Sequence, residues 1–214
     1  MAHVRRGLHL PASQPVDAAH SSECWSPDTA MVVPEPDACA RARLRDYPIV
    51  LDGVMYITGN NNHAWALDAR TGSQIWHYQR VLPEVLRVCC GMVNRGFAIL
   101  GQKLFMGTLD AHLVALDRNA GKVVWDAAVE EPKNGYSVTL APMVVKNKVI
   151  VGVAGGDFAS RGFIDAYDAE TGSRAWRFYT VPGAGEKGSE TWPNTEVIKR
   201  GAAPSGRRGR TTPR

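Results

Sequence analysis

A chain of 214 residues, 44% of them hydrophobic and 21% charged, carries enough apolar material for a globular core, which excludes disorder along its whole length. Its formal charge of +4 is concentrated at one end: Lys199, Arg200, Arg207, Arg208, Arg210 and Arg214 fall in a stretch without a single acid, and the remainder is mildly acidic. No run approaches the roughly 18 to 20 consecutive apolar residues of a membrane span, and residues 1–10 lack the apolar core of roughly 7 to 15 residues that a signal peptide needs, so neither is expected.

Residues 1–46 hold scattered Pro, Ser, Ala and Arg with little alternation, and composition marks them as irregular. Order begins at Tyr47. Residues 49–58 (IVLDGVMYIT) read as two strands around an Asp52-Gly53 turn. Ala66-Leu67-Asp68-Ala69-Arg70-Thr71-Gly72 follows and runs on to Trp76. The sequence then repeats itself. Residues 97–107 (FAILGQKLFMG) turn at Gly101-Gln102, and Ala115-Leu116-Asp117-Arg118-Asn119-Ala120-Gly121 leads to Trp125. Residues 143–153 (MVVKNKVIVGV) turn at Lys146-Asn147, and Ala166-Tyr167-Asp168-Ala169-Glu170-Thr171-Gly172 leads to Trp176. The three tryptophans are 49 and 51 residues apart. Four antiparallel strands per repeat of about 50 residues make one blade of a β-propeller.

Each part of the repeat has a physical task. The Asp accepts bonds from nearby backbone N–H groups of a tight turn, and the Gly takes positive φ without strain. Each Trp is expected to bury its ring between neighbouring blades and to find a partner for its indole N–H. These tryptophans identify the fold and carry no chemistry. The expected fold class is therefore all-β: a propeller of four-stranded antiparallel blades joined by tryptophan docking, over residues 47–193. Residues 194–214, rich in Gly, Pro and Arg, again read as irregular.

Four cysteines (Cys24, Cys39, Cys89 and Cys90) do not form a disulfide framework at this length, and there is no CxxC or CxxCH. Cys89-Cys90 is the unusual feature. On its own such a pair is compatible with two neighbouring buried thiols. Adjacent cysteines can also close an eight-membered ring, provided the intervening peptide distorts, and that ring is rigid and flat.

The surroundings of the pair carry a resemblance. Cys89-Cys90, Val93-Asn94-Arg95-Gly96, Gly107-Thr108-Leu109-Asp110-Ala111 and Leu113-Val114-Ala115-Leu116-Asp117 resemble the PQQ-dependent methanol and alcohol dehydrogenases. Further along, Ala141-Pro142, Gly155-Gly156, Arg161-Gly162-Phe163, Trp176-Arg177-Phe178-Tyr179-Thr180-Val181-Pro182 and residues 188–193 (GSETWP) agree as well. The resemblance covers about residues 48–193.

That resemblance implies a disulfide of Cys89 with Cys90, stacked on one face of a planar quinone. It implies that Arg95 pairs with an oxygen or carboxylate of the cofactor, where a guanidinium fork suits a tricarboxylate. Thr139 matches a hydroxyl donor to the cofactor. Ala154, Gly155 and Gly156 match a stretch whose backbone lies against it. Asp157 stands where the family has a Ca²⁺-binding glutamate. Read alone it is a solvated turn carboxylate, and it is one methylene shorter for an ion that takes oxygens at about 2.3–2.6 Å.

Other family positions are not matched. The tryptophan on the opposite quinone face, the metal-binding asparagine and the aspartate proposed as catalytic base belong to later blades, so no catalytic residue is assigned here. Arg45 occupies a glutamate position. The chain has about three of the usual eight blades. Read with each third codon base joined to the next two, residues 205–214 allow Trp-Thr-Thr-Gly-Ser-Tyr-Asp-Pro, similar to how the family continues, so the basic tail reads as frame-shifted. An Arg-rich nucleic-acid arm is the competing reading, and the tail lacks its interleaved aromatics.

The implied parent enzyme oxidises primary alcohols to aldehydes with PQQ and Ca²⁺. Its partners are a small alcohol and an electron acceptor such as a c-type cytochrome, in the periplasm. No nucleic acid and no membrane span are expected. Three blades leave open sheet faces, so the isolated chain is expected to be marginally stable, aggregation-prone and inactive. A non-catalytic propeller scaffold with the same repeat is the alternative, and it would need neither the cysteine pair nor Val93-Asn94-Arg95-Gly96.

Overall fold

The structure, a computed structural model, describes residues 47–88 and 91–199. Three hairpins open the three repeats where the sequence places them. Strands β1 (Ile49–Leu51) and β2 (Val54–Thr58) turn through Asp52 and Gly53, with φ of 52° and 77°. Strands β5 (Phe97–Leu100) and β6 (Lys103–Gly107) turn at Gly101, and β9 (Met143–Val145) and β10 (Lys148–Gly152) turn at Lys146. A positive φ at the first turn residue, 57° and 54° respectively, matches the right-handed twist of the paired strands.

Each hairpin gains two more antiparallel strands. These are β3 (His63–Asp68) with β4 (Gln74–Gln79), β7 (His112–Asp117) with β8 (Val123–Ala128), and β11 (Phe163–Asp168) with β12 (Arg174–Tyr179). The strand orders are β1-β2-β3-β4, β5-β6-β7-β8 and β9-β10-β11-β12. In every sheet the register slips at the same place, next to the Asp: at Ala66/Leu67, Ala115/Leu116 and Ala166/Tyr167. Such a bulge twists the strand into the turn that follows.

That turn is built by the aspartate. Asp68 Oδ1 accepts from the N–H groups of Arg70 and Thr71 at 3.0 and 2.7 Å, and from the Thr71 hydroxyl at 2.9 Å. Asp117 and Asp168 do the same for Asn119 and Ala120, and for Glu170 and Thr171. The loop closes with N–H bonds from Gly72, Gly121 and Gly172 back to the three aspartate carbonyls.

The tryptophan of one blade lands on the turn of the next. Trp76 Nε1 donates to Arg118 O at 2.8 Å, and a Cβ on Gly121 would stand 2.6 Å from Trp76 Cε3. Trp125 Nε1 donates to Ala169 O at 3.2 Å, and a Cβ on Gly172 would stand 2.8 Å from Trp125 Cδ2. In both cases the acceptor is the residue after the Asp and the glycine is four after it.

The middle sheet is covered on both faces. Leu104 and Met106 pack with Tyr56, Ala66 and Trp76 of the first blade, while Phe105, Leu113 and Ala115 pack with Val149, Val151 and Phe163 of the third. Successive side chains of a strand point to opposite faces, so a strand buried on both sides reads as an unbroken apolar run, as β6 and β7 do. Two arginines also cross the seams. Arg80 Nε donates to Asp110 at 2.8 Å and its Nη1 to Asp126 at 2.7 Å. Arg177 binds the fully buried Asp165 within its own sheet at 2.8 Å and reaches Glu130 at 2.9 Å and Val129 O at 2.8 Å in the preceding blade.

Two expectations differ from the structure. Trp176 does not bury its ring as the other two do: it is 46% exposed, with Phe178 at 63%, because no fourth sheet among the described residues packs against β12. The stretch from residue 194 is not wholly irregular either. A short helix, α1 (Thr195–Lys199), forms with Glu196 in its first turn, and Ile198 is buried. A negative side chain at a helix N-terminus is favourable.

Substituting Gly121→Ala should cost about 2–4 kcal/mol, since the methyl combines a left-handed φ with a clash against the docked indole. Gly53→Ala, at a similar φ with open space around it, should cost about 1 kcal/mol. Denaturant midpoints followed by tryptophan fluorescence compare the two, and equal losses would contradict the docking account.

The aspartate turns also set an acid limit. Backbone N–H of Thr71 holds the Asp68 carboxyl below its ordinary value, and the Lys148 ammonium, then Thr171 N–H, does so for Asp168. A depressed folded-state value gives stability that is present above the unfolded carboxylate range, roughly pH 4, and lost as pH falls through the folded value. Melting temperature should therefore drop on going from about pH 5 to pH 2, and less steeply in Asp68→Asn than in the parent chain.

Candidate functional site

The expected cofactor residues come from three separate stretches. The first, residues 91–96, joins the first blade to the second. Val93 and Asn94 are buried there. Asn94 Nδ2 donates to Gly107 O at the end of β6 at 2.7 Å, and Asn94 Oδ1 accepts from Gly96 N–H at 3.0 Å. With both ends of its amide used, Asn94 pins the connection to the second sheet and fixes where Arg95 leaves it. Asn61 N–H donates to Met92 O at 3.1 Å and ties the same segment back to the first blade.

Arg95 reaches the second stretch. Its Nη1 donates to Thr139 Oγ1 at 2.7 Å and lies 3.3 Å from Thr139 O. Thr139 is 6% exposed and Arg95 is half-buried. Thr139 is positioned by its neighbours: Val138 N–H donates to Thr108 O at 2.9 Å, and Val138 packs so closely on Gly107 that a Cβ there would meet it at 2.2 Å. Ser137 then pairs with Ala154 through reciprocal backbone bonds of 3.2 and 2.8 Å.

Ala154 begins the third stretch. Gly155 has φ 133°, and a Cβ would fall 2.5 Å from Gly135 O and 2.9 Å from Ser160 Oγ. Only glycine fits both that conformation and that gap. A 3-10 turn over Gly156–Phe158 follows, closed by Phe158 N–H on Gly155 O at 2.9 Å. Asp157 lies on this turn and is exposed.

The structure therefore joins Arg95 to Thr139 directly, and Thr139 to the Ala154-Gly155-Gly156 stretch through the Ser137–Ala154 bridge. Among the described residues, no hydrogen bond or ion pair joins Asp157 to Arg95 or Thr139, and no three His, Cys, Asp or Glu side chains are grouped to share a metal ion. The expected roles of Cys89 and Cys90, and the charge reversal at Arg45, lie outside the described residues. An open cleft of about 570 Å³ is lined by Arg177, Tyr179, Pro182, Glu186 and Trp192 at the end of the third blade, and none of the expected cofactor residues lines it.

Asn94 is the residue for which sequence reasoning assigned no role. It lies in the quoted motif, and an Asn two residues before a Gly, within an otherwise apolar connection, is a signal for a side chain that replaces a missing backbone partner.

Three blades stacked through tryptophan docking define a segment of a β-propeller. Residues 19–204 match the family described as "Glucose/ethanol/alcohol dehydrogenase, beta-propeller domain", designated PQQ. The chain belongs to this family of PQQ-dependent dehydrogenase propellers. It is 44% identical over 173 residues to the quinoprotein alcohol dehydrogenase PedH of Pseudomonas putida, covering 73% of this chain and 29% of that one. It is 42% identical over 169 residues to the quinohemoprotein alcohol dehydrogenase of Comamonas testosteroni, covering 75% and 23%.

Among solved structures, the Comamonas testosteroni quinohemoprotein alcohol dehydrogenase superposes with a TM-score of 0.60 at 40% identity, over 66% of this chain and 22% of that one. A europium-containing methanol dehydrogenase superposes with a TM-score of 0.60 at 36% identity, over 70% and 29%. The chain thus spans less than a third of the length of these relatives. Among the described residues no helix is long and apolar enough to cross a membrane.

Replacing Asn94→Leu strands the Gly107 carbonyl and the Gly96 N–H in a buried place. Each stranded group costs about 1–3 kcal/mol, so a loss of about 2–6 kcal/mol in unfolding free energy is expected from urea titration. A loss under about 0.5 kcal/mol, the level of an ordinary surface change, would show that the amide does not hold this connection.

Proposed function

We propose that this chain forms one wall of the PQQ site of a quinoprotein alcohol dehydrogenase. The observation that carries the reading is the Arg95–Thr139 contact of 2.7 Å. A guanidinium and a hydroxyl from different blade connections converge, in a half-buried place, and Thr139 is linked through the Ser137–Ala154 bridge to Gly155, where no side chain fits.

The residues fit a planar, anionic quinone on this side. Arg95 supplies a fixed positive charge for a carboxylate or quinone oxygen. Thr139 supplies a hydroxyl whose position is set by the Arg95 bond. Ala154, Gly155 and Gly156 offer bare backbone for close approach. Cys89 and Cys90, as a disulfide, would cover one face. When bound, PQQ accepts the electrons released as an alcohol becomes an aldehyde.

Asp157 would hold Ca²⁺ as one ligand of several. Calcium takes 6–8 oxygens, so one exposed carboxylate is a part of such a site, and the remaining ligands come from the cofactor and from later blades. The family's catalytic base belongs to later blades too. In this reading the three blades bind the quinone without turning over substrate. Primary alcohols, a c-type cytochrome acceptor and a periplasmic location are those of the whole enzyme. A scaffold propeller would use the Arg95–Thr139 pair only as a clamp between blade connections and would not bind PQQ through it.

Titrating the purified chain with PQQ, with and without Ca²⁺, and following quinone absorbance tests this. Binding without alcohol oxidation is expected. Arg95→Ala removes a charge-assisted bond of about 1.5–3 kcal/mol, which weakens PQQ roughly 10- to 100-fold, and Thr139→Val acts in the same direction. Failure of the folded parent chain to bind PQQ, or binding indifferent to Arg95, would overturn the assignment.

A further inference from the structure

His63 opens β3 and His77 lies in β4 of the same blade. The β3–β4 register pairs His63 with Gln79 and Trp65 with His77, so all four residues occupy one face of the sheet. The two imidazoles face each other, with His63 Nδ1 2.8 Å from His77 Nε2. Their planes differ by 8°. Trp65, itself buried, stacks on both rings at 5.5 and 5.1 Å between centroids. Gly59 leaves room for that indole, since a Cβ would stand 2.7 Å from Trp65 Cζ3. The rings are thus held by packing from below, while His77 is exposed and His63 is half-buried.

The corresponding positions of the other blades have a different use. In the second blade they are His112 and Asp126, bonded at 2.7 Å, and Asp126 also receives Arg80 from the blade before. In the third they are Phe163 and Arg177, with the guanidinium 3.6 Å from the ring centroid and bonded to Glu130 of the blade before. Each of those pairs carries a fixed charge that crosses a seam. The first blade has two neutral-capable nitrogen ligands there instead.

From this geometry we propose that His63 Nδ1 and His77 Nε2 form a binding site for a divalent transition-metal ion of the Ni²⁺ or Zn²⁺ type. Imidazole nitrogen is the ligand such ions favour. Two bonds of about 2.0–2.1 Å at a tetrahedral angle separate the nitrogens by about 3.3 Å, so the rings need to part by roughly half an ångström. Each neutral ring then carries its one proton on the nitrogen facing away, so a tautomer shift of the bridging N–H to the far nitrogen of its own ring leaves both facing lone pairs for the ion. Gln79, directly across from His63, stands on the face where a third oxygen donor would be needed, and water completes the shell.

The test is calorimetric titration of the full chain with Ni²⁺, with its thiols blocked by alkylation so that cysteines do not compete. One ion per chain is expected. His77→Phe and His63→Phe keep the flat stack on Trp65 while removing a ligand, and each should weaken binding at least tenfold. His112→Gln should leave it unchanged, and melting curves of all variants confirm folding. Absence of Ni²⁺ binding in the parent chain, or equal binding in a folded His77→Phe variant, overturns the site.

Discussion

The docking of an indole onto the turn of the next blade is the contact from which the rest of this structure follows. A single sheet buries only one face, and a stack of sheets needs a rule for spacing and rotation. Here the rule is a flat ring that covers a bare glycine and donates to a carbonyl three residues before it, as Trp76 does to Gly121 and Arg118. The aspartate matters because it folds the turn that presents both acceptor and gap. Each repeat therefore carries a plug at one end and a socket at the other. Burial of the ring is worth on the order of a few kcal/mol, and the hydrogen bond and the glycine gap make it directional.

Polar contacts at the seams do a second job. Arg80 and Arg177 occupy different places in their blades yet both bind carboxylates across or beside a seam. Asp165 is fully buried, so removing Arg177 would leave its charge with only the more distant and more exposed Arg174, 3.9 Å away, whereas the intact pair adds little net stability over an apolar one. Such clamps select one arrangement of the blades over near alternatives. The Arg95–Thr139 contact belongs to the same pattern, since it joins the connection before the second blade to the connection before the third. The cofactor wall proposed for these connections would be only as well placed as the stack beneath it.

Much of this was legible in the sequence because the repeat encodes it in local terms. A two-residue turn at Asp52-Gly53, an Asp followed by Gly four residues later, and a Trp four residues after that each specify a conformation through near neighbours. The positions of Arg95, Thr139 and Gly155 along the chain came from family resemblance, and their convergence did not show in any local pattern, because it depends on contacts between residues 44 apart. The Asn94 clamp is legible in part: its bond from Gly96 is local, whereas its partner Gly107 lies 13 residues on at the end of another strand. The His63–His77 pair escaped notice because cross-strand register brings the two together, and neither lies in the repeated motif. Trp176 was misjudged in the opposite sense: its motif is intact, but burial of a plug depends on a socket, and no described element provides one.

Trp176 also bears on the site. The first two tryptophans show what covers such a ring: an aspartate turn with a glycine, one blade further on. Trp176 and Phe178 present the same side of β12 that Trp125 and its strand present in the second blade, so the same kind of surface would fit there. Arg95 and Thr139 gain their burial from having a blade on either side of the connection. Asp157, on a turn of the third blade, has a neighbour on one side only and is exposed. The difference between a half-buried arginine and an exposed aspartate thus reflects the stack, and it follows from distance to the open face. A carboxylate in water holds a cation weakly, and the same carboxylate enclosed by another blade holds it more strongly, so in the role proposed for Asp157 its grip on Ca²⁺ would depend on what docks on Trp176.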